Sequence, residues 1–222
     1  MYKRQPKHKG ITCIVADMKT PGLEARTIRQ ATGASDFCEL FLDDVVVPAE
    51  NVIGDVNNGW AVAQGTLAAE RAITILEMTE RLRHNGMEAA LHDILEWTLE
   101  DGSPAHDDPA VRETFAELWA DLQVLRQLLN FMIDDVIRGV DVGGTSGIIK
   151  VVYTEVLQKI MAWLTNLEGV RSQPQRPMLE INGWETGYWM RDYVGSFSWH
   201  MGGGTSEIMR NVIAERMLGL PR

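Results

Sequence analysis

A single change of hydrophobic period, at Asn57–Gly59, constrains the fold of this 222-residue chain more than any other feature. Before it, Gly10–Ala16 is rich in β-branched residues and Cys38–Leu42 alternates in polarity, as strands do. After it, apolar residues recur every three or four positions, which is the spacing of one face of a helix. We therefore predict two domains, a β region over residues 1–56 and a helical region over residues 57–222.

The predicted strands are too few to complete a sheet. Thr20–Gly22 has the composition of a turn, because Pro presets one φ angle and Gly allows a positive one. Val45–Pro48 is predicted to end the last strand, since Pro lacks the backbone N–H that further strand pairing needs. Three or four short strands do not make a stable sheet alone. The predicted fold class is an α+β fragment, in which the back half of a β domain precedes an all-α helical bundle.

Four helical segments are predicted in the second region, over residues 60–99, 109–139, 146–167 and 206–218, and the short loops between them are typical of a bundle. The third segment is apolar on more than one face. Because a small bundle alone cannot cover such a helix, this pattern predicts oligomerisation through the helical region.

Charge and cysteine content disfavour several classes of function. Lys and Arg number 21 against 31 Asp and Glu, so the formal net charge is -10, which repels nucleic acids and anionic lipids. Two cysteines, Cys13 and Cys38, cannot staple a chain of this length, which favours a reducing compartment and a cytoplasmic location. No apolar run approaches the ~20 residues of a membrane span, and the histidines show no metal-ligand spacing. We therefore predict no membrane span, no nucleic-acid partner and no metal site.

Three glycines precede the last predicted helix, in the stretch Met201–Glu207. Glycines let the backbone approach a ligand closely, and the start of a helix points free N–H groups at it. The same stretch is equally a flexible turn in which Thr205 or Ser206 caps the helix. It lacks the Lys of a Walker loop and the preceding strand of a dinucleotide fingerprint.

Several stretches together resemble the acyl-CoA dehydrogenase family. Residues 203–219, GGTSEIMRNVIAERMLG, look like the C-terminal signature of that family. Residues 41–54, followed by Asn58–Trp60, are similar to the passage from its β domain into the first helix of its C-terminal bundle, and Ile148–Glu155 resembles a bundle helix. The matches occur in family order and extend from Lys9 to Arg222, and the pattern is similar to that of actinobacterial members.

The resemblance implies FAD-dependent α,β-desaturation of an acyl-CoA thioester. In this reaction a carboxylate removes the α-proton while a hydride leaves the β-carbon for the flavin. Thr205, Ser206 and Glu207 match the residues that contact the flavin, and Gly203 and Gly204 lie on the acyl-CoA side. The resemblance also implies an electron-transfer flavoprotein as the electron acceptor.

The position of the catalytic carboxylate follows from the same resemblance. Many members carry it immediately before the Gly-Thr of the signature, where this chain has Gly203. Isovaleryl-type and long-chain-type members place the glutamate on the first bundle helix, directly before an arginine, and Glu70–Arg71 occupies that place. A helical glutamate is ordinarily solvated, but the alanines on both sides of Glu70 leave room for a substrate chain. The resemblance therefore implies Glu70 as the base, with Arg71 beside it on the substrate side.

Two flavin-binding elements of the family are not recognisable. Its Arg-x-x-Phe-Gly stretch is replaced here by Leu99–Ser103, and its glutamine- and glycine-rich element by Asn166–Val170. The front half of the sheet also does not precede Lys9, which suggests a truncated chain that is inactive by itself. Two hypotheses follow, an acyl-CoA dehydrogenase truncated at its amino terminus, and a non-catalytic partner subunit of a heteromeric acyl-CoA dehydrogenase.

Overall fold

The computed structural model describes residues 8–67, 87–140, 142–169, 179–181, 184–186 and 189–221. The chain divides into two compact units, Met1–Ile73 and Thr74–Arg222. Short strands lie in the first unit and long helices in the second, so the predicted order of strands followed by helices is confirmed.

Four short strands form two antiparallel pairs in the first unit. Strand β1 (Cys13–Ile14) pairs with β4 (Val52–Ile53), and β2 (Leu23–Ile28) pairs with β3 (Phe37–Leu42). The prediction that the last strand runs to Val45–Pro48 is wrong, because β3 ends at Leu42. The backbone leaves the strand conformation at Asp44, where φ is +44°.

The predicted turn at Thr20–Gly22 is confirmed. It lies directly before β2 and is hydrogen-bonded to the residue that follows β3. The Leu23 N–H donates to the Thr20 carbonyl at 3.0 Å, and Gly22 has a φ of +85°. The Asp43 N–H donates to the Gly22 carbonyl at 2.9 Å, at the open end of the hairpin. A Cβ atom at Gly22 would lie 2.0 Å from the Asp43 carbonyl oxygen, so this close approach requires glycine.

The hairpin leaves apolar side chains uncovered. Leu42 is 68% exposed and Leu40 is 52% exposed, and both lie on the face that also carries Leu23 and Ala25. A two-stranded hairpin with an uncovered apolar face is at best marginally stable in water. The hairpin therefore has the character of part of a larger sheet.

The first helix, α1, is described over residues 59–67, and the remainder of the predicted first helix lies largely outside the described residues. Helix α2 (Met87–Ile94) ends before residue 99, so the predicted end is wrong. A tight turn replaces the last helical residues, because the Leu99 N–H donates to the Ser103 carbonyl at 2.8 Å. The Asp101 carboxylate fixes this turn by accepting from the Ser103 N–H at 2.9 Å.

Helix α3 (Pro109–Ile137) matches its prediction because its start is encoded locally. The Asp108 carboxylate caps it by accepting from the Ala110 N–H at 2.7 Å and the Val111 N–H at 3.1 Å. Proline at the first helical position has no N–H to leave unsatisfied. Helix α4 (Gly143–Glu168) begins three residues before the predicted start.

The remaining elements lie after residue 178. Strands β5 (Leu179–Ile181) and β6 (Trp184–Thr186) pair with each other, and α5 (Trp189–Met201) was not among the predicted helices. Helix α6 (Ser206–Val212) passes directly into a π-helical turn over Ile213–Met217, which together cover the predicted last helix.

Helix α4 is the centre of the second unit, where α2, α3, α5 and α6 pack against it. Its buried apolar residues face those of α2 and α3 in one core, whose members on α3 and α4 are Val111, Leu118, Leu122, Leu125, Leu129, Met132, Ile149, Tyr153, Val156, Ile160, Met161 and Leu164. Four helices of the same chain thus contact α4, and its residues Val151, Val152 and Leu157 stay half-buried. Oligomerisation through the helical region stays a prediction. Large exposed apolar side chains occur on α3, at Phe131 and Ile137.

We predict that Gly22→Ala destabilises the hairpin far more than Gly33→Ala. Both glycines have a positive φ, +85° and +84°, but a Cβ meets Asp43 at Gly22 and nothing within 4 Å at Gly33. Gly33→Ala should therefore carry only the backbone penalty of about 1 kcal/mol. Hydrogen exchange of the amides in β2 and β3 measures the difference, and equal exchange in the two variants would contradict the assigned contact.

Candidate functional site

The three glycines form an open turn between α5 and α6. Gly203 and Gly204 have φ angles of +66° and +98°, which side-chain-bearing residues rarely adopt. A Cβ atom built at Gly203 would have no atom within 4 Å. The main chain at this position is therefore accessible to a ligand.

Thr205 and Glu207 together cap the start of α6. The Thr205 Oγ1 accepts from the Ile208 N–H at 3.3 Å, so Thr205 is the N-cap residue. The Glu207 N–H and the Thr205 hydroxyl lower the pKa of the Glu207 carboxyl, and the positive charge of Arg210 acts in the same direction. Glu207 is therefore a solvent-exposed carboxylate at neutral pH.

A buried polar cluster of Lys150, His200 and Ser206 lies beneath the turn. Ser206 is 1% exposed, and its Oγ lies 3.0 Å from His200 Nδ1. The Lys150 Nζ donates to the Ser206 Oγ at 3.4 Å and to the His200 carbonyl oxygen at 3.1 Å. Burial lowers the pKa of the Lys150 ammonium group, an effect that the Glu207 carboxylate opposes and Arg210 reinforces.

The contacts of these residues determine which groups of the turn are available to a flavin or an acyl-CoA. The Ser206 hydroxyl is engaged within the protein, so a contact from Ser206 would come from its main chain. The Gly203 main chain is open, and the Glu207 carboxylate is exposed. Among the described residues, the buried His200 Nε2 has no hydrogen-bond partner. An open main chain and an exposed carboxylate fit a ligand that carries hydrogen-bonding groups.

The proposed base and its neighbour, Glu70 and Arg71, lie outside the described residues. The structure brings Gly203, Gly204 and the start of α6 together in one turn, as their adjacency in the chain requires. The part of the chain that the structure describes contains no group of three or more His, Cys, Asp and Glu residues arranged to hold a metal ion. Within the same ranges, no helix has the length and hydropathy needed to cross a membrane.

The two stretches that depart from the family pattern differ in structure. Leu99–Ser103 forms a tight turn after the end of α2, with Gly102 at a φ of +87°. In the second stretch, helix α4 ends at Glu168, and Gly169 follows with a φ of +54°. The first stretch is therefore a turn, and the second contains the end of a helix.

Lys150 is the residue of the site that sequence reasoning missed. Lys150 lies within Ile148–Glu155, between Ile149 and Val151. A lysine at such a position on an otherwise apolar helix is itself an indication of a buried, paired charge. Its partners are 50 and 56 residues further along the chain, at His200 and Ser206, and no local pattern indicates such pairings.

The fold and the turn define a helical-bundle domain that follows a small amount of antiparallel sheet and carries a glycine turn at the start of its last helix. The family profile described as "Acyl-CoA dehydrogenase, C-terminal domain" matches residues 57–218. The chain belongs to the acyl-CoA dehydrogenase family.

Individual relatives agree with this assignment. The acyl-CoA dehydrogenase IpdE1 of Mycolicibacterium smegmatis is 31% identical over 99% of this chain and 52% of its own length. The acyl-CoA dehydrogenase FadE34 of Mycobacterium tuberculosis is 33% identical over 98% of this chain and 27% of its own length. The solved structure of the Tcur3481-Tcur3483 steroid ACAD is 26% identical with a TM-score of 0.82, covering 99% of this chain and 54% of that one. The chain thus spans about half the length of IpdE1, or less in the case of FadE34.

We predict that Thr205→Ala weakens the start of α6 and that Thr205→Ser does not. Loss of an N-cap hydroxyl costs about 0.5–2 kcal/mol. The variant also loses one hydrogen bond to Glu207, whose lowered pKa stabilises the folded state above its unfolded pKa of about 4.3. This stabilisation disappears as the pH falls through the lowered folded pKa.

The difference in unfolding free energy between the parent and Thr205→Ala should therefore be larger at pH 7 than in acid. Denaturant unfolding at a series of pH values measures it, with Thr205→Ser as the matched control. A difference that does not change with pH would contradict the assigned hydrogen bond between Thr205 and Glu207.

Proposed function

We propose that this chain forms the C-terminal portion of an FAD-dependent acyl-CoA dehydrogenase, which converts an acyl-CoA thioester to its α,β-unsaturated product. The observation that carries the proposal is the open glycine turn within a domain of this family. Gly203 stands where many members carry the catalytic carboxylate, and the space that a side chain would occupy there is empty. A substrate can approach the turn, but the base has to come from another position.

Glu70 is the proposed base, because it matches the place that isovaleryl-type and long-chain-type members use. Its carboxylate would accept the α-proton of the thioester, while Arg71 would serve the substrate side. The main chain of Gly203 and Gly204 would lie against the acyl-CoA, and the missing side chain at Gly203 leaves room there. Bound FAD would supply the acceptor for the β-hydride.

The proposed flavin contacts lie at the start of α6. Thr205 holds the first turn of the helix, Ser206 contributes its main chain, and Glu207 carries the exposed carboxylate. A carboxylate suits the hydroxyl and amide donors of a flavin nucleotide and repels its phosphates. We therefore place Glu207 toward a donor group of FAD rather than toward the pyrophosphate.

The proposed substrate class is a bulky, steroid-like acyl group on coenzyme A. The support is the likeness to the Tcur3481-Tcur3483 steroid ACAD, which extends over 99% of this chain. The expected electron acceptor is an electron-transfer flavoprotein. Cys13 and Cys38 are both free thiols, which fits the reducing conditions of the cytoplasm.

The second candidate is a partner subunit without catalysis of its own in a hetero-oligomer. It is favoured because two flavin-binding elements of the family are not recognisable in this sequence, at Leu99–Ser103 and at Asn166–Val170. The name of the Tcur3481-Tcur3483 structure joins two gene products, which supports assembly with a second, related chain. In that arrangement this chain would provide the α6 side of a flavin site to its partner.

We predict that Glu70→Gln abolishes flavin reduction while flavin content stays unchanged. The substitution keeps the shape of the side chain and removes proton acceptance, and loss of a general base costs ~10² to 10⁴ in rate. Anaerobic bleaching of the flavin by acyl-CoA measures this in the assembled enzyme. Glu113→Gln, on the exposed side of α3, is the matched control and should bleach normally.

A carboxylate introduced at the glycine turn provides a second test of Glu70 as the base. Gly203→Glu in the Glu70→Gln background should restore part of the bleaching, because the family uses either position to reach the α-carbon. Normal bleaching in Glu70→Gln alone would show that another residue is the base.

We also predict that the chain retains little flavin when expressed by itself and binds it in a complex with a second acyl-CoA dehydrogenase chain. Co-expression with a second acyl-CoA dehydrogenase chain from the same organism, followed by measurement of mass and flavin content, tests this. A homo-oligomer that binds FAD and bleaches with acyl-CoA would instead establish a self-sufficient dehydrogenase. A complex with a second chain in which Glu70→Gln leaves bleaching intact would favour the partner-subunit function.

A further inference from the structure

Among the described residues, Lys150 is the one charged residue that is buried, and its burial requires a physical reason. Its exposure is only 7%, whereas lysines are almost never fully buried unless they are paired. Removing an ammonium group from water costs free energy, which hydrogen bonds must offset. The lowered pKa of Lys150 has this desolvation as its largest cause.

The two hydrogen bonds of Lys150 reach the opposite ends of one turn. The Nζ donates to the carbonyl oxygen of His200, in the last turn of α5, and to the Oγ of Ser206, the first residue of α6. A carbonyl at the end of a helix carries the negative end of the helix dipole and is a favourable acceptor for a cation. Lys150 thus ties the end of one helix and the beginning of the next to α4.

The segment between these two anchors has few restraints in its middle. It contains Gly202, Gly203 and Gly204, and glycines lose more conformational freedom on folding than any other residue. The Gly202 N–H donates to the Ser198 carbonyl at 2.8 Å, and a Cβ atom at Gly204 would lie 2.6 Å from the Met209 Cε, whereas one at Gly203 would have no atom within 4 Å. Packing therefore does not fix the main chain at Gly203, and its position depends on the contacts at the two ends of the segment, to which Lys150 contributes.

The direction of hydrogen donation within the cluster follows from the ammonium group. Lysine has only donors, so the Ser206 Oγ accepts from Lys150, and the Ser206 hydroxyl can in turn donate to His200 Nδ1, 3.0 Å away. The other ring nitrogen of His200, Nε2, is buried and has no partner among the described residues. Lys150 therefore sets the direction of hydrogen donation through Ser206 to His200.

We propose that Lys150 is a positioning residue, which fixes the glycine turn by holding the His200 carbonyl and the Ser206 hydroxyl and so orients the main chain that meets the flavin and the acyl-CoA. The second half of this statement rests on the function proposed above. The first half concerns the chain alone and is tested without activity.

The test compares Lys150→Met with Lys150→Arg and with Lys159→Met. Methionine keeps the length of the side chain and removes its charge and donors, whereas arginine keeps both. Lys159 lies on the same helix but is exposed, and its Nζ pairs with Asp121 at 2.8 Å, so Lys159→Met removes a lysine of α4 without touching the turn. Hydrogen exchange by mass spectrometry is measured on peptides covering residues 198–209 and residues 118–132 of α3.

Lys150→Met should accelerate exchange at residues 202–207 by tenfold or more and leave the α3 peptide unchanged. Lys150→Arg should restore most of the protection, and Lys159→Met should match the parent. Unchanged exchange at the turn, or an equal acceleration in both peptides, would overturn the positioning role. If Lys150→Met does not fold, Ser206→Ala removes one of the two anchors and should accelerate exchange at the turn alone.

A second measurement separates this proposal from the proposed function. In the assembled, flavin-containing enzyme, Lys150→Met should raise the KM for acyl-CoA and lower kcat relative to Lys159→Met, and Lys150→Arg should recover both. A loosened turn with unaltered kinetic constants would overturn the link to substrate. A parent enzyme that never bleaches with acyl-CoA, together with a loosened turn in Lys150→Met, would refute the dehydrogenase function and uphold the positioning role.

Discussion

The packing of four helices against α4 is the constraint on which the second unit depends. The helix has 26 residues, and its apolar side chains meet α2 and α3 on one side and α5 and α6 on the other. Hydrophobic burial contributes roughly 25 cal/mol per Å² of apolar surface, so a helix covered on several faces contributes more than one covered on a single face. The positions of the outer helices are therefore determined by their packing against the apolar surface of α4.

The candidate site lies where α4, α5 and α6 meet, and polar contacts fix it there. The ring of Tyr153 packs edge-on against Trp199, with centroids 5.3 Å apart, and Arg210 forms an ion pair with Glu155. An exposed ion pair of this kind contributes at most about 1 kcal/mol. The buried bonds of Lys150 differ, because a lost partner would leave a desolvated charge in the core. Loss of a hydrogen bond in the polar cluster beneath the turn would therefore cost more free energy than loss of the exposed ion pair.

The first unit is not stabilised by a buried core of this kind among its described residues. Its two-stranded sheets have no packed core among the described residues, and the apolar face of the β2–β3 hairpin is open. A sheet of this size needs further strands or a covering layer to be stable in water. The relatives IpdE1 and FadE34 both extend beyond the region that this chain matches.

The sequence by itself determined the order of strands and helices, the turn at Thr20–Gly22 and the start of α3 at Asp108, because each is encoded by residues close together in the chain. It also carried the family resemblance. Helix α5 and the packing of four helices against α4 depend on tertiary structure, since α5 contains Gly195 and lacks a strong local start signal but packs along α4. The same holds for Lys150, whose role arises from acceptors 50 and 56 residues away. Local sequence patterns indicate which residues can form a helix or a strand. The pairing of a buried charge with its acceptors arises only in the folded chain, because folding itself removes the charge from water.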